Sequence, residues 1–323
     1  MNIDHKIKKY SNKLALKPTH NYLKKLSEYI LIKYNTQTGG QVIDFSVDDD
    51  YSTKVEGLLH LIHTTIRPLE SISTKRKYCM IVMGPTGSGK TLARKIGFDL
   101  VRELEPEFTL DKIEKSFIDI SVDDYVYGAY MDGKTGAKAL KDIAEKTLLD
   151  IQTETKKSHE ENIKDIANIE RLSTDSFNEY SQYRNKVETI PMIMVYIATH
   201  LGLNFIFETV SGVWLPEFMQ KNIPKYFQLV VYPSTNQENL IIRTASRALE
   251  EHRFVNPASF QGMITNADKM FNELFESPAY PNIYLYKYDN NGGNMDEIRA
   301  GNFSSLPLMQ KKLAINGPIV QKK

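Results

Sequence analysis

Tyr78-Cys79-Met80-Ile81-Val82-Met83 runs without a break into Gly84-Pro85-Thr86-Gly87-Ser88-Gly89-Lys90-Thr91 and then into Leu92-Ala93-Arg94-Lys95-Ile96. The first six residues are a short apolar run rich in strand formers. The next eight fit G-x-x-x-x-G-K-[ST] at every fixed position, and the residues from Thr91 to Leu104 are patterned as a helix. Glycines in such a loop let the backbone curl until successive N–H groups face one point, and the helix that follows aims its N-terminus there. Lys90 adds a positive charge for β- and γ-phosphates, and the Thr91 hydroxyl supplies an oxygen for Mg²⁺. Residue frequencies give a chain of this length roughly a 1% chance of such a match. Gly84 to Thr91 therefore read as a site for a purine nucleoside triphosphate, ATP, with Mg²⁺.

Working outward, four more apolar runs have strand character: Ser116 to Val122 (SFIDISV), Leu203 to Phe207 (LNFIF), Phe227 to Tyr232 (FQLVVY) and Ile283 to Tyr288 (IYLYKY). Helical segments lie between most of them. Strands alternating with helices predict an α/β P-loop fold, with a mainly parallel five-stranded sheet and flanking helices. Residues 77–290 would form this domain. Residues 1–76 read as an N-terminal helical region, with Leu23, Leu26, Ile30 and Tyr34 on one helix face and a second amphipathic helix from about Ser52 to Ile66. Residues 137–200 read as a helical insertion, since 137–187 are charged and free of Gly and Pro. Residues 291–323 are rich in Gly, Asn and Lys and are expected to be loop or tail.

The composition narrows the class. The 323 residues are 41% hydrophobic, enough for one large α/β domain with a helical appendage. The 41 basic and 40 acidic residues nearly cancel, which does not favour a nucleic-acid or membrane partner. No apolar run approaches the ~18 residues that span a bilayer, and MNIDHKIKKYSNK lacks the apolar core of a signal peptide. The single cysteine, Cys79, excludes an internal disulfide and fits a reducing, cytoplasmic setting.

The loop alone does not separate kinases from motors, GTPases and AAA-type ATPases. No strand ends in the Asp-Glu pair that an AAA module wants. Asn12-Lys13 and Asn185-Lys186 are followed by Leu-Ala and Val-Glu, not by the x-Asp of a GTPase. A small-molecule kinase wants a carboxylate near the end of the second strand to take the acceptor's proton, and lid arginines after the fourth strand to hold the moving phosphate. The second strand runs into Asp123-Asp124 and contains Asp119. The third ends in Glu208-Thr209. The fourth is followed by Arg243, Arg247 and Arg253, the first two sharing a helix face. In a parallel sheet these strand ends gather beside the loop.

Taken in order, GPTGSGKT, IDISVDDYV, LNFIFETVSG, LVVYPSTNQENLIIRTASR, NPAS and IYLYKYDNNGG resemble the zeta-toxin kinases, P-loop enzymes that phosphorylate UDP-N-acetylglucosamine. The resemblance covers about residues 78–290. It implies ATP-dependent transfer of the γ-phosphate to a hydroxyl of a small acceptor, a UDP-amino sugar. Asp124 then resembles the catalytic base and Glu208 the carboxylate that holds the acceptor, with Asp123 and Thr209 beside them. Arg253 resembles a lid arginine, a task that Arg243 or Arg247 would share. The two aspartates are adjacent here, where the family spaces them by one residue, so Asp123 and Asp124 are interchangeable in this reading.

Other readings stay open at this level. Asp119 either faces the site or pairs structurally. Asp123 and Asp124 could cap a turn, and Arg243 and Arg247 could form a solvated helix face. Trp214 reads as core, and His60 and His63 as ordinary helix residues. A polynucleotide 5′-hydroxyl kinase, or a nucleotide-dependent switch or scaffold without turnover, would also carry this loop.

Overall fold

The computed structural model describes residues 2–17, 76–121, 202–210, 225–251, 255–276, 283–291, 307–312 and 320–322, with scattered positions between 19 and 32 and between 191 and 199. The helix at about 52–66, most of the insertion, Asp123, Asp124, Trp214, Arg253, His60 and His63 lie outside the described residues.

The elements in chain order are α1 (Ile3–Leu16), β1 (Tyr78–Met83), α2 (Lys90–Leu104), α3 (Leu110–Lys115), β2 (Phe117–Ile120), β3 (Asn204–Thr209), β4 (Phe227–Ser234), α4 (Gln237–Glu251), α5 (Phe260–Glu276), β5 (Ile283–Asp289), β6 (Pro307–Lys312) and β7 (Val320–Lys322). The sheet order is β2-β3-β1-β4-β5-β6-β7. Strands β1 to β5 are the five apolar runs of the sequence, and all their pairings are parallel. The stretch expected to be loop or tail adds two more strands. β6 pairs antiparallel with β5, and β7 antiparallel with β6. In the N-terminal region α1 is capped by Asn2, whose side chain accepts from the His5 N–H, and the described residues between 21 and 32 are helical.

All six residues of β1 are buried, which explains why the run is continuous rather than alternating: both faces of the sheet are covered. Tyr78, Met80 and Val82 face α2 and α3, packing with Ala93, Ile96, Val101 and Ile113 and with Leu229 and Val231 of β4. On the opposite face Tyr232 meets Phe271 of α5, ring centroids 5.7 Å apart. Lys287 also ties β5 to α5 through a 2.6 Å ion pair with Asp268. At about 25 cal/mol per Å² of apolar surface, such two-sided burial is the main stabilising term.

One polar contact is built into this core. The Tyr78 hydroxyl donates to Glu105 Oε1 at 2.6 Å, joining the start of β1 to the end of α2. Glu105 is fully buried, and its Oε2 has no hydrogen-bond partner among the described residues. Burial, then the Glu105 carboxylate, push the Tyr78 phenol well above its usual range, so it stays a donor at all working pH values. Tyr78→Phe keeps the ring and strands the carboxylate. The expected cost is about 1–3 kcal/mol, read as a lower denaturant midpoint at unchanged slope. An unchanged midpoint would show that the bond contributes nothing net.

Candidate functional site

The phosphate loop leaves the C-terminal end of β1, in the middle of the parallel strands. Gly84 and Gly89 show why glycine is required. Gly84 has φ +138°, and a Cβ there would lie 2.7 Å from Ser88 Oγ. Gly89 has φ +95°, and its Cβ would collide with the side-chain amide of Asn290. Gly89 is also the N-cap of α2. Having no side chain, it leaves the first-turn N–H groups without the acceptor that Ser, Thr or Asp would supply. Ser88 is buried, and its Oγ has no hydrogen-bond partner among the described residues. An uncapped helix start and an orphaned buried hydroxyl are both demands that a bound anion satisfies. Thr91 is exposed in the first turn of α2, where its hydroxyl is a hard oxygen donor suited to Mg²⁺. The loop thus fits the triphosphate and metal that its sequence implies.

Lys90 Nζ donates to the carbonyls of Gly84 and Pro85, 3.3 Å each. The ammonium therefore lies over the loop's own mouth. The Gly84 N–H donates to Thr209 O at 3.1 Å, so Thr209 supports the loop through its backbone. The strand register sets Glu208 opposite Val82 and Thr209 opposite Met83, level with the start of the loop.

Glu208 is not alone there. Arg94, one turn after Lys90 on α2, places Nε 2.7 Å from Glu208 Oε1, and its NH2 pairs with Asp119 Oδ2. Arg94 and Glu208 keep only 25% and 18% of their side-chain surface, so solvent screens this pair weakly. Of the two sequence readings of Asp119, the structure shows an ion pair. Arg94 was not among the residues singled out by sequence. The signal was its i, i+4 spacing from Lys90, which places both on one face of the loop's helix. β2 ends at Ile120, just before Asp123 and Asp124.

Arg243 and Arg247 lie on α4 and are half-buried. Arg243 turns towards the loop. Its NH1 donates to Gly87 O at 3.4 Å and its NH2 to Asn290 O at 2.7 Å. The neighbouring carbonyl, Ser88 O, accepts from Asn290 Nδ2 at 2.6 Å and from Thr235 Oγ1 at 3.2 Å. Asn291 in turn accepts, through its side chain, from the Asn236 N–H, and through its carbonyl from Asn239 Nδ2 at 2.6 Å. Sequence reasoning had no reason to choose Asn290, because its partner is 202 residues away. Among the described residues no His, Cys, Asp and Glu cluster could hold a metal by itself, and no helix is long and apolar enough to cross a membrane.

No family model matches the chain. One curated relative spans nearly all of it. This is "Uncharacterized protein L872" of Acanthamoeba polyphaga mimivirus, 28% identical over 321 residues, covering 94% of this chain and 87% of that protein. A solved structure from the characterization of the PezAT chromosomal toxin–antitoxin system of Streptococcus pneumoniae has a TM-score of 0.46 and 13% identity to it, covering 76% of this chain and 81% of that one.

Proposed function

We propose that this protein is a Mg²⁺-dependent ATP kinase that transfers the γ-phosphate to a hydroxyl of a small acceptor, in the cytoplasm. A UDP-amino sugar is the acceptor that the zeta-toxin resemblance implies. The observation that carries this reading is the conjunction at one sheet edge: a complete phosphate loop on β1 and, on the next strand, Glu208 held by Arg94. A carboxylate paired with an arginine beside a phosphate site can accept hydrogen bonds from a hydroxylated acceptor and repels a second anion.

In this reading the loop N–H groups and Lys90 bind the β- and γ-phosphates. Thr91 would hold the Mg²⁺, which supplies charge neutralisation of the triphosphate. Glu208, with Asp123 and Thr209 beside it, holds the acceptor. Asp124 takes the acceptor's proton, the freed oxygen forms a bond to the γ-phosphorus, and the bond to the bridging oxygen breaks to release ADP. Arg247 and Arg253 meet the negative charge spreading over the transferred group.

The test is transfer from γ-labelled ATP with Mg²⁺ to UDP-sugars, nucleosides, nucleoside monophosphates and 5′-hydroxyl oligonucleotides. Label on a UDP-sugar, lowered about 10²- to 10⁴-fold by Asp124→Ala with ATP binding retained, is the expected result. Label on oligonucleotides alone would replace the acceptor by nucleic acid. ATP bound but no label on any acceptor would sink the kinase and leave a nucleotide-dependent switch.

A further inference from the structure

We infer that Arg243 and Asn290 form a clamp that holds the phosphate loop in its nucleotide-binding shape, so that Arg243 is a positioning residue of the loop and not a lid arginine on the transferred phosphate. This rests on the reading of the loop as a nucleotide site.

The geometry is specific. Two successive loop carbonyls are taken from behind by different elements. Gly87 O receives Arg243 from α4, and Ser88 O receives Asn290 from the end of β5 and Thr235 from the end of β4. A trans peptide is planar, so its C=O and N–H point in opposite directions. Fixing Ser88 O on the clamp side therefore turns the Gly89 N–H away from it, towards the open end of α2. The Gly87 carbonyl belongs to the peptide whose N–H, on Ser88, donates to Pro85 O at 3.1 Å, so that unit is held at both ends. The clamp closes on itself, because the second guanidinium nitrogen of Arg243 binds Asn290's own carbonyl. That carbonyl's residue is anchored in turn by the Asn290 N–H, which donates to Ser234 O at 2.8 Å.

Both residues are constrained by this arrangement. The Asn290 side chain is packed so closely on Gly89 that a single methyl there would strike it. Burial lowers the affinity of the Arg243 guanidinium for its proton, and the nearby Tyr288 phenol, itself buried, partly opposes this. A half-buried guanidinium bonded to two backbone carbonyls orients that backbone, which is a different task from sweeping in from solvent to meet a γ-phosphate.

The two roles separate by nucleotide. A lid arginine acts on the γ-phosphate, so its loss weakens MgATP and spares MgADP. A loop clamp shapes the N–H groups common to both, so its loss weakens both alike. Calorimetric titration of the full chain with MgADP and with MgATP would be compared for wild type, Arg243→Ala, Asn290→Ala and Asn290→Asp. The expected result is a tenfold or larger rise in Kd for both nucleotides in Arg243→Ala and Asn290→Ala. Asn290→Asp should be worse than Asn290→Ala, because it sets a carboxylate oxygen against Ser88 O. If Arg243→Ala does not fold, Asn290→Ala, which removes one donor, decides. Affinities equal to wild type, or a loss confined to MgATP, would overturn the clamp. Wild-type protein that takes up neither nucleotide would overturn the nucleotide reading and the clamp with it.

Discussion

Lys90→Ala is expected to leave the protein folded and to lower phosphoryl transfer about 10²- to 10³-fold, or about 3–4 kcal/mol of transition-state stabilisation. The two effects separate because of where the ammonium sits. Its bonds to Gly84 O and Pro85 O are long, 3.3 Å each, and Lys90 is only half-buried, so removing it takes little from the fold. Its charge would matter where negative charge spreads during transfer, in a loop whose remaining donors are neutral N–H and O–H groups. The measurements are the initial rate of transfer at saturating nucleotide and the thermal midpoint of the same sample. A variant that keeps more than a tenth of the rate would remove Lys90 from the chemistry. A large fall in midpoint would make it a structural residue.

Gly89→Ala should do the reverse, damaging the loop itself. At φ +95° any L-side chain is strained, at a cost of about 1–2 kcal/mol. The new methyl would also displace the Asn290 amide from Ser88 O, and a lost hydrogen bond adds about 1 kcal/mol. We expect a loss of about 2–3 kcal/mol in denaturant unfolding and nucleotide binding too weak to detect by titration. Wild-type affinity in this variant would mean that the loop tolerates another backbone path, contrary to the close packing of Gly89 on Asn290.

The contrast between these two variants also marks what could be read from the sequence. Local geometry was legible: Gly84, Gly87 and Gly89 all take positive φ in the turn between β1 and α2, and the five parallel strands announce themselves because strands buried on both faces are apolar throughout. Glu208 and Thr209 lie level with the start of the loop because neighbouring parallel strands end on one edge. What escaped was set by partners distant in the chain. Arg94 looks like one more charged helix residue until its side chain meets Asp119 of β2 and Glu208 of β3. Asn290 looks like the start of a polar tail until it reaches back to Ser88. Arg243 has the spacing of a lid arginine, yet the fold points it at Gly87 O. β6 was missed for a related reason. Pro307 to Lys312 has weak strand character of its own and becomes a strand by pairing with the open side of β5, where tertiary context overrides propensity.

That pairing has a consequence for how the chain behaves in a crowd. Tyr78 to Met83, six apolar residues without charge or proline, has the composition that favours self-association. It is the third strand from one margin and the fifth from the other. The strands at the two margins are β2, of four residues, and β7, of three. Ladders this short offer a neighbouring molecule few unpaired main-chain groups on which to extend the sheet. By adding β6 and β7, the last thirty-odd residues move the sheet's margin away from the seven-residue β5 and leave it on a strand too brief to template aggregation.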